Sequence, residues 1–268
     1  MKLRHTGFTL VEMIMVIVIT GIIGGMVAVF LKAPVQQYMD VARRADMTDI
    51  ADTALRRLGR DLRLALPNSV RVNTSVVGGV TVYYLDFLAT SGGGRYRIGA
   101  GGSGDILDFS LADSSFEVLG TPPSCVAGDQ VVVYNMGMSG LDAYAGDNRT
   151  ACDSVAGQIV KITTPFQFRS SSPNARFQIV HEQVRYICNP GTQSLTRYSW
   201  GGGSIVPPAA VIPPVTGALL ATHVSACSVI YDPIVVAQHA GLVTLNLSIT
   251  EDDETVTVYN AVHVSNVP

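Results

Sequence analysis

Charged residues are scarce in this chain. Asp, Glu, Lys and Arg make up 15% of the 268 residues, and the formal net charge is −3. This balance excludes the strongly basic surface that nucleic-acid-binding domains use, so we expect no nucleic-acid partner. One segment, residues 8–31, has a single charged residue, Glu12. Because about 20 apolar residues of helix can cross a bilayer, this segment predicts a transmembrane helix.

Motifs for catalysis or cofactor binding are also missing. Residues 99–104 have the spacing G-x-G-x-x-G, but a strand-like sequence follows where a dinucleotide site needs a helix. His181 and Glu182 lack the second histidine of a zinc protease motif. The acidic run 251–254 has ligands suited to Ca²⁺, although a solvated turn is the favoured interpretation. We therefore expect no enzyme activity and no cofactor or metal.

Cysteine is rare, with four residues and no C-x-x-C pair. If the later part of the chain is exported, an even number of widely spaced cysteines favours two disulfides over buried free thiols. Three pairings are possible. We predict Cys125 with Cys152 and Cys188 with Cys227, which close loops of about 27 and 39 residues.

A short basic segment precedes the apolar run. Residues 1–7 contain Lys2 and Arg4 and end on Gly7, directly before Phe8. An ordinary secretory signal has an apolar stretch of about 7–15 residues and then a small-residue cleavage site, and neither is present here. A plain membrane anchor is the alternative. A carboxylate inside a span costs about 2.5–3.5 kcal/mol on insertion scales, so Glu12 calls for a function that a plain anchor lacks.

The junction Gly7-Phe8-Thr9-Leu10-Val11-Glu12 resembles the class III signal of type IV prepilins and type II secretion pseudopilins. This resemblance implies that prepilin peptidase cuts after Gly7 and that Phe8 is then N-methylated. It also implies that Glu12 meets the N-terminal amine of a neighbouring subunit in a fibre. The implied partners are other major and minor pilins, the inner-membrane assembly platform and membrane lipid. The implied location is the inner membrane with a periplasmic head, and then a pilus or pseudopilus.

Beyond the apolar run, the sequence predicts an amphipathic continuation of the helix. Apolar residues recur at helical spacing on one face, and Asp52 and Arg56 form a favourable i, i+4 pair on the rest. Pro67-Asn68 is expected to end the helix. The apolar face consists of Met47, Ile50, Ala51, Ala54, Leu55, Leu58, Leu62, Ala65 and Leu66.

After residue 67 the apolar period changes to two, which indicates antiparallel strands. Hairpins are expected around the turn 189–192 and around 251–254, with long loops at 91–104 and 201–217. The predicted strands are 80–88, 106–111, 130–134, 176–188, 194–200, 242–250 and 255–264. The sequence thus predicts an α+β fold in which a long N-terminal helix packs on an antiparallel β-rich head.

The predicted organisation has four parts: a leader at 1–7, a transmembrane helix at 8–31, its amphipathic continuation at 32–66, and a periplasmic head at 67–268. Several segments of the head also resemble the larger minor pilins. These are the PilW-like and pseudopilin J-like proteins, and most closely the MshO type of the mannose-sensitive haemagglutinin pilus. The segments are Arg185-Tyr-Ile-Cys188, Leu195-Thr-Arg-Tyr198, Cys227-Ser-Val-Ile-Tyr-Asp232, Gly241-Leu-Val-Thr-Leu245 and Val262-His-Val-Ser-Asn266.

Three functions remain open on these residues. The resemblance favours a minor pilin that initiates or caps a pilus. The first alternative is a minor pseudopilin of a type II secretion system. The second is a membrane-anchored periplasmic enzyme or binding protein, which would need a polar cluster in the head.

Overall fold

A computed structural model describes residues 7–99, 104–208, 216–235 and 240–268. It contains two compact units, residues 1–47 and 48–268. Residues 1–6 of the predicted leader lie outside the described residues, as do parts of the two predicted long loops, 100–103 and 209–215.

One long α-helix, α1, is present in the described ranges; it extends over Leu10–Leu62 and continues through Pro34. The predicted apolar face is confirmed, because eight of its nine residues are buried and only Ile50 is partly exposed. The Asp52–Arg56 pair is present at 2.6 Å.

The predicted helix end at residue 66 was wrong, because α1 stops at Leu62. The Leu66 N–H donates to the Leu88 carbonyl at 2.7 Å, and the Thr90 N–H donates to the Leu64 carbonyl at 2.8 Å. Every buried backbone polar group needs a partner, and here a neighbouring strand supplies the partners that another helical turn would have used.

Twelve antiparallel strands follow the helix in the described part of the chain. The first six are β1 (Arg71–Val77), β2 (Val80–Tyr96), β3 (Asp113–Leu119), β4 (Gln130–Val133), β5 (Arg149–Ala156) and β6 (Ile159–Phe166). The second six are β7 (Arg176–Asn189), β8 (Ser194–Gly201), β9 (Ala218–Ala221), β10 (Val224–Val235), β11 (Ala240–Glu251) and β12 (Glu254–Ser265). The α+β class predicted from the sequence is confirmed.

Six of these strands close into a small barrel. The pairings run from β2 through β3, β6, β5, β4 and β7, and β7 pairs with β2 again. The barrel interior is filled by a cluster of buried residues that includes Tyr96, Phe116, Phe168 and Phe177. Because the ring closes, its first and last strands, β2 and β7, pair with each other, which leaves fewer strand edges open to other chains.

The second part of α1 packs against strands on two sides. On one side, the Asp61 carboxylate accepts hydrogen bonds from Tyr186 of β7 at 2.7 Å and from Arg197 of β8 at 2.6 Å. On the other side is the three-stranded sheet β10-β11-β12, and a Cβ atom at Gly59 would lie 3.3 Å from Val262 of β12. Residues 48–62 therefore form the shared core element between two sheets.

The structure corrects two predictions in the region 91–119. The predicted strand 106–111 is irregular, and the strand is β3 instead. The Asp108 carboxylate accepts from the Ser110 N–H at 2.7 Å, and Asp113 accepts from the Asp108 N–H at 2.9 Å. Such local side-chain bonds compete with strand pairing. The predicted loop 91–104 is also partly wrong, since β2 continues to Tyr96.

Both predicted hairpins are confirmed. The turn 189–192 joins β7 to β8, with the Asn189 side chain accepting from the Gly191 N–H at 2.9 Å. The acidic run 251–254 forms a tight turn between β11 and β12, in which Asp252 and Asp253 have φ angles of +48° and +64°. Two positive φ values are typical of a type I′ turn, and Asp tolerates this conformation.

Candidate assembly site

The helix begins with a cap that involves the glutamate of the predicted signal. Thr9 precedes the first helical residue, Leu10, and the Glu12 N–H donates to the Thr9 Oγ1 at 3.3 Å. The Thr9 carbonyl accepts from the Met13 N–H at 3.2 Å. Thr at the N-cap with Glu three residues later is the residue pattern of a capping box. The T-x-x-E spacing is a signal that the sequence alone contains.

Glu12 therefore has a favourable place in its own helix. It is the acidic residue of the first turn, where a negative charge interacts well with the positive end of the helix dipole. Phe8 lies two residues before Leu10 and is largely exposed, as is Gly7. The structure thus presents the junction Gly7–Phe8 and the Glu12 carboxylate within the same short stretch of chain.

The following residues of α1 are apolar on all sides. A window of this helix has a mean hydropathy of 2.8, and none of that window is buried. Among the described residues, one helix is thus long and apolar enough to cross a membrane. Thr20, a polar residue of the run, donates its hydroxyl to the Val16 carbonyl at 2.5 Å. Such internal bonding lets a hydroxyl enter lipid, and the open space beside Gly21, Gly24 and Gly25 permits close approach of another helix.

In the head, the structure joins Cys125 to Cys152 and Cys188 to Cys227, which is the pairing expected from the sequence. The first bond lies in the core of the barrel and closes the segment that contains residues 136–150. The second links β7 to β10, so it ties the three-stranded sheet to the strands that pack on α1.

Loss of the Cys188–Cys227 bond should destabilise the head. We expect the double substitution Cys188→Ser and Cys227→Ser to lower the free energy of unfolding by about 4 kcal/mol, because the open loop of 39 residues gains entropy in the unfolded chain. Urea titration followed by the fluorescence of Trp200, the single tryptophan and a buried one, measures this change. An unchanged midpoint in the double variant would show that the bond contributes no stability.

A buried ion pair connects two strands inside the head. Asp86 of β2 and Arg185 of β7 are both almost fully buried, and the Arg185 Nε lies 2.6 Å from the Asp86 Oδ1. Arg185 also donates to the Pro208 carbonyl. Burial raises the pKa of Asp86 to about 6, although the bond and the charge of Arg185 oppose the shift. The pair lies inside the head, and both residues are far in sequence from the N-terminal signal.

Metal binding has no geometric support in the ranges that the structure describes, where no three His, Cys, Asp or Glu side chains are grouped for a metal ion. The acidic residues 251–254 serve the β11–β12 turn instead.

Comparison with known proteins matches residues 2–28 to the prokaryotic N-terminal methylation motif. No curated protein and no solved structure matches the chain. The matched segment contains residues 2–7 of the predicted leader, the Gly7–Phe8 junction, Thr9, Glu12 and most of the apolar run.

The motif, the apolar N-terminal helix and the two disulfides fit a type IV pilin-like membrane protein. The motif indicates a substrate of prepilin peptidase, and it suggests a structural rather than an enzymatic protein.

Proposed function

We propose that this chain is a minor pilin that helps to initiate or cap a type IV pilus of the mannose-sensitive haemagglutinin kind, and that it resembles MshO most closely. Prepilin peptidase cuts between Gly7 and Phe8, and Phe8 is N-methylated. The observation that carries the proposal is the methylation motif at 2–28, together with Glu12 in the capped first turn of an exposed apolar helix.

The proposed route begins in the inner membrane. Residues 8–31 span the bilayer, residues 32–66 continue toward the head, and residues 67–268 form a periplasmic head. The assembly platform then moves the chain from lipid into the fibre, where helices of major and minor pilins replace lipid around the apolar surface.

The pairing of charges gives Glu12 its role. Cleavage creates a positive amine on Phe8. In a fibre, the amine of one subunit can meet the Glu12 carboxylate of its neighbour when the two helices are staggered by about one turn. In a weakly screened environment an unpaired charge is costly, so this contact selects one register.

A minor pseudopilin of a type II secretion system is the second candidate, because its signal has the same pattern. Deleting the gene distinguishes the two. We expect loss of surface pili with normal secretion of extracellular enzymes, and recovery of the protein in sheared fibres when the gene is restored. Normal piliation with lost secretion would instead identify a pseudopilin.

A further inference from the structure

A groove of about 390 Å³ lies on the head where β2 and β7 pair beyond the irregularity in β2. Its lining includes the glycine run 92–94, Thr90, Arg95, Arg176 and Gln178. The groove is separate in sequence from the N-terminal signal, and neither arginine takes part in the proposed assembly role.

Two arginines face each other across this groove. Arg95 and Arg176 are direct cross-strand partners, and both side chains are exposed. Like charges directly opposite on paired strands destabilise a sheet. Arg95 donates its Nε–H to the Asn174 carbonyl at 3.2 Å, and neither arginine has an ion pair within the described ranges.

Two other arginines of the head are paired with nearby carboxylates. Arg97, two residues after Arg95, pairs with Glu117 at 2.7 Å, and Arg185 pairs with Asp86 at 2.6 Å. The Arg95–Arg176 pair differs from these two in holding two positive charges together without an acidic partner among the described residues.

The glycine run lets β2 lie close against β7 beside the groove. A Cβ atom at Gly93 would lie 2.7 Å from the Phe177 carbonyl oxygen, and one at Gly94 would lie 3.0 Å from the Phe177 ring. Beside it, the Gln178 Oε1 is shielded from solvent and has no hydrogen-bond partner among the described residues. A shielded oxygen that accepts no hydrogen bond from the protein favours a ligand with a hydrogen-bond donor.

We propose that this groove binds the carboxylate or phosphate of an acidic sugar between the guanidinium groups of Arg95 and Arg176, with a sugar hydroxyl donating to Gln178. Guanidinium groups bind both oxyanions through paired hydrogen bonds, so the same site accepts a uronic acid or a sugar phosphate. The anion removes the repulsion between the arginines, and the hydroxyl satisfies the free acceptor.

Titration calorimetry on the full, unassembled chain in a neutral ethoxylate detergent tests the proposal. Glucuronate and glucose 6-phosphate represent the two acid classes, glucose the neutral sugar, and inorganic phosphate the bare anion. We expect the two acidic sugars to bind and glucose not to bind. Inorganic phosphate should bind more weakly than glucose 6-phosphate, because it lacks the sugar hydroxyls. Equal affinity for inorganic phosphate and glucose 6-phosphate would overturn the sugar assignment.

Charge-matched variants assign the binding to this groove. Arg95→Gln and Arg176→Gln should each weaken glucuronate binding by about tenfold, since each removes a charge-assisted bond. Arg169→Gln removes an exposed arginine elsewhere on the head and should change the affinity less than about twofold. Binding should also weaken as salt rises. No binding by the wild-type chain, or undiminished binding by the double variant Arg95→Gln and Arg176→Gln, would overturn the proposal.

Discussion

Replacing Glu12 by glutamine is expected to lower co-purification of the chain with partner pilins by at least about tenfold, while membrane insertion and cleavage stay normal. In the assembled fibre, the Phe8 amine of a neighbouring subunit would be left without its counter-charge. Removing one partner of a poorly solvated charge pair costs far more than removing an exposed pair, because the remaining charge stays desolvated.

The glutamine variant isolates the charge from the cap. The donor to the Thr9 Oγ1 is the backbone N–H of residue 12, so the substitution keeps this hydrogen bond. Glutamine is also accepted at the N3 position of a capping box. Asp49→Asn, which removes an exposed acidic charge further along α1, is the matched control and should co-purify normally. Equal recovery of wild type and Glu12→Gln at equal membrane levels would leave Glu12 without an assembly role.

Replacing Arg185 by methionine is expected to lower the free energy of unfolding by about 3–5 kcal/mol near pH 7.5. The substitution leaves the Asp86 carboxylate buried without its cationic partner. Exchanging the whole pair for apolar residues, as in Asp86→Leu with Arg185→Met, should recover much of this loss, because no charge then remains in the core.

The Arg185→Met substitution should lower the free energy of unfolding less at acidic pH than near pH 7.5. In the wild type, the pKa of Asp86 is raised from 3.8 to about 6, so the folded state holds this proton more tightly than the unfolded state. The stability that protonated Asp86 provides is complete below pH 4 and is lost as the pH rises toward 6. Removing Arg185 raises this pKa further. Urea titrations of wild type and variant at pH 5 and pH 7.5 measure this change in the free energy of unfolding. An equal decrease at both pH values would contradict the assignment of the pH dependence to Asp86.

The sequence predicted those parts of the fold that depend on local pattern. The apolar stripe of α1, the turn at 189–192 and the alternation in β11 and β12 each follow from residues close together in the chain. The hairpin between β1 and β2 was missed, although Gly78 and Gly79, with φ angles of +60° and +82°, give a recognised turn signal.

Closure of the barrel could not be predicted in this way. It depends on residues 83–95 of β2 pairing with 176–188 of β7, while β3 pairs with the end of β2 and β4 with the beginning of β7. β6 and β5 then connect β3 to β4. The glycines at 92–94 suggested a loop, yet the structure uses them where the backbone of β7 comes too close for a side chain. Long-range packing decides this choice, since glycine occurs both in loops and at close backbone approaches.

The candidate assembly site was readable because its residues are contiguous. Gly7, Phe8 and Glu12 stand in one short motif, whereas the Arg95–Arg176 groove joins two strands that are far apart in sequence. The cap on Thr9 lay between these two cases, because its spacing was visible but its hydrogen bond needed the structure.

The mass of the N-terminal peptide of the membrane-extracted protein tests the central claim most directly. We predict a mature chain that begins at Phe8 and carries one added methyl group on its amine, with no peptide retaining residues 1–7. A chain that keeps Met1–Gly7, or one that begins at any other residue, would contradict processing by prepilin peptidase and with it the proposed entry into a pilus.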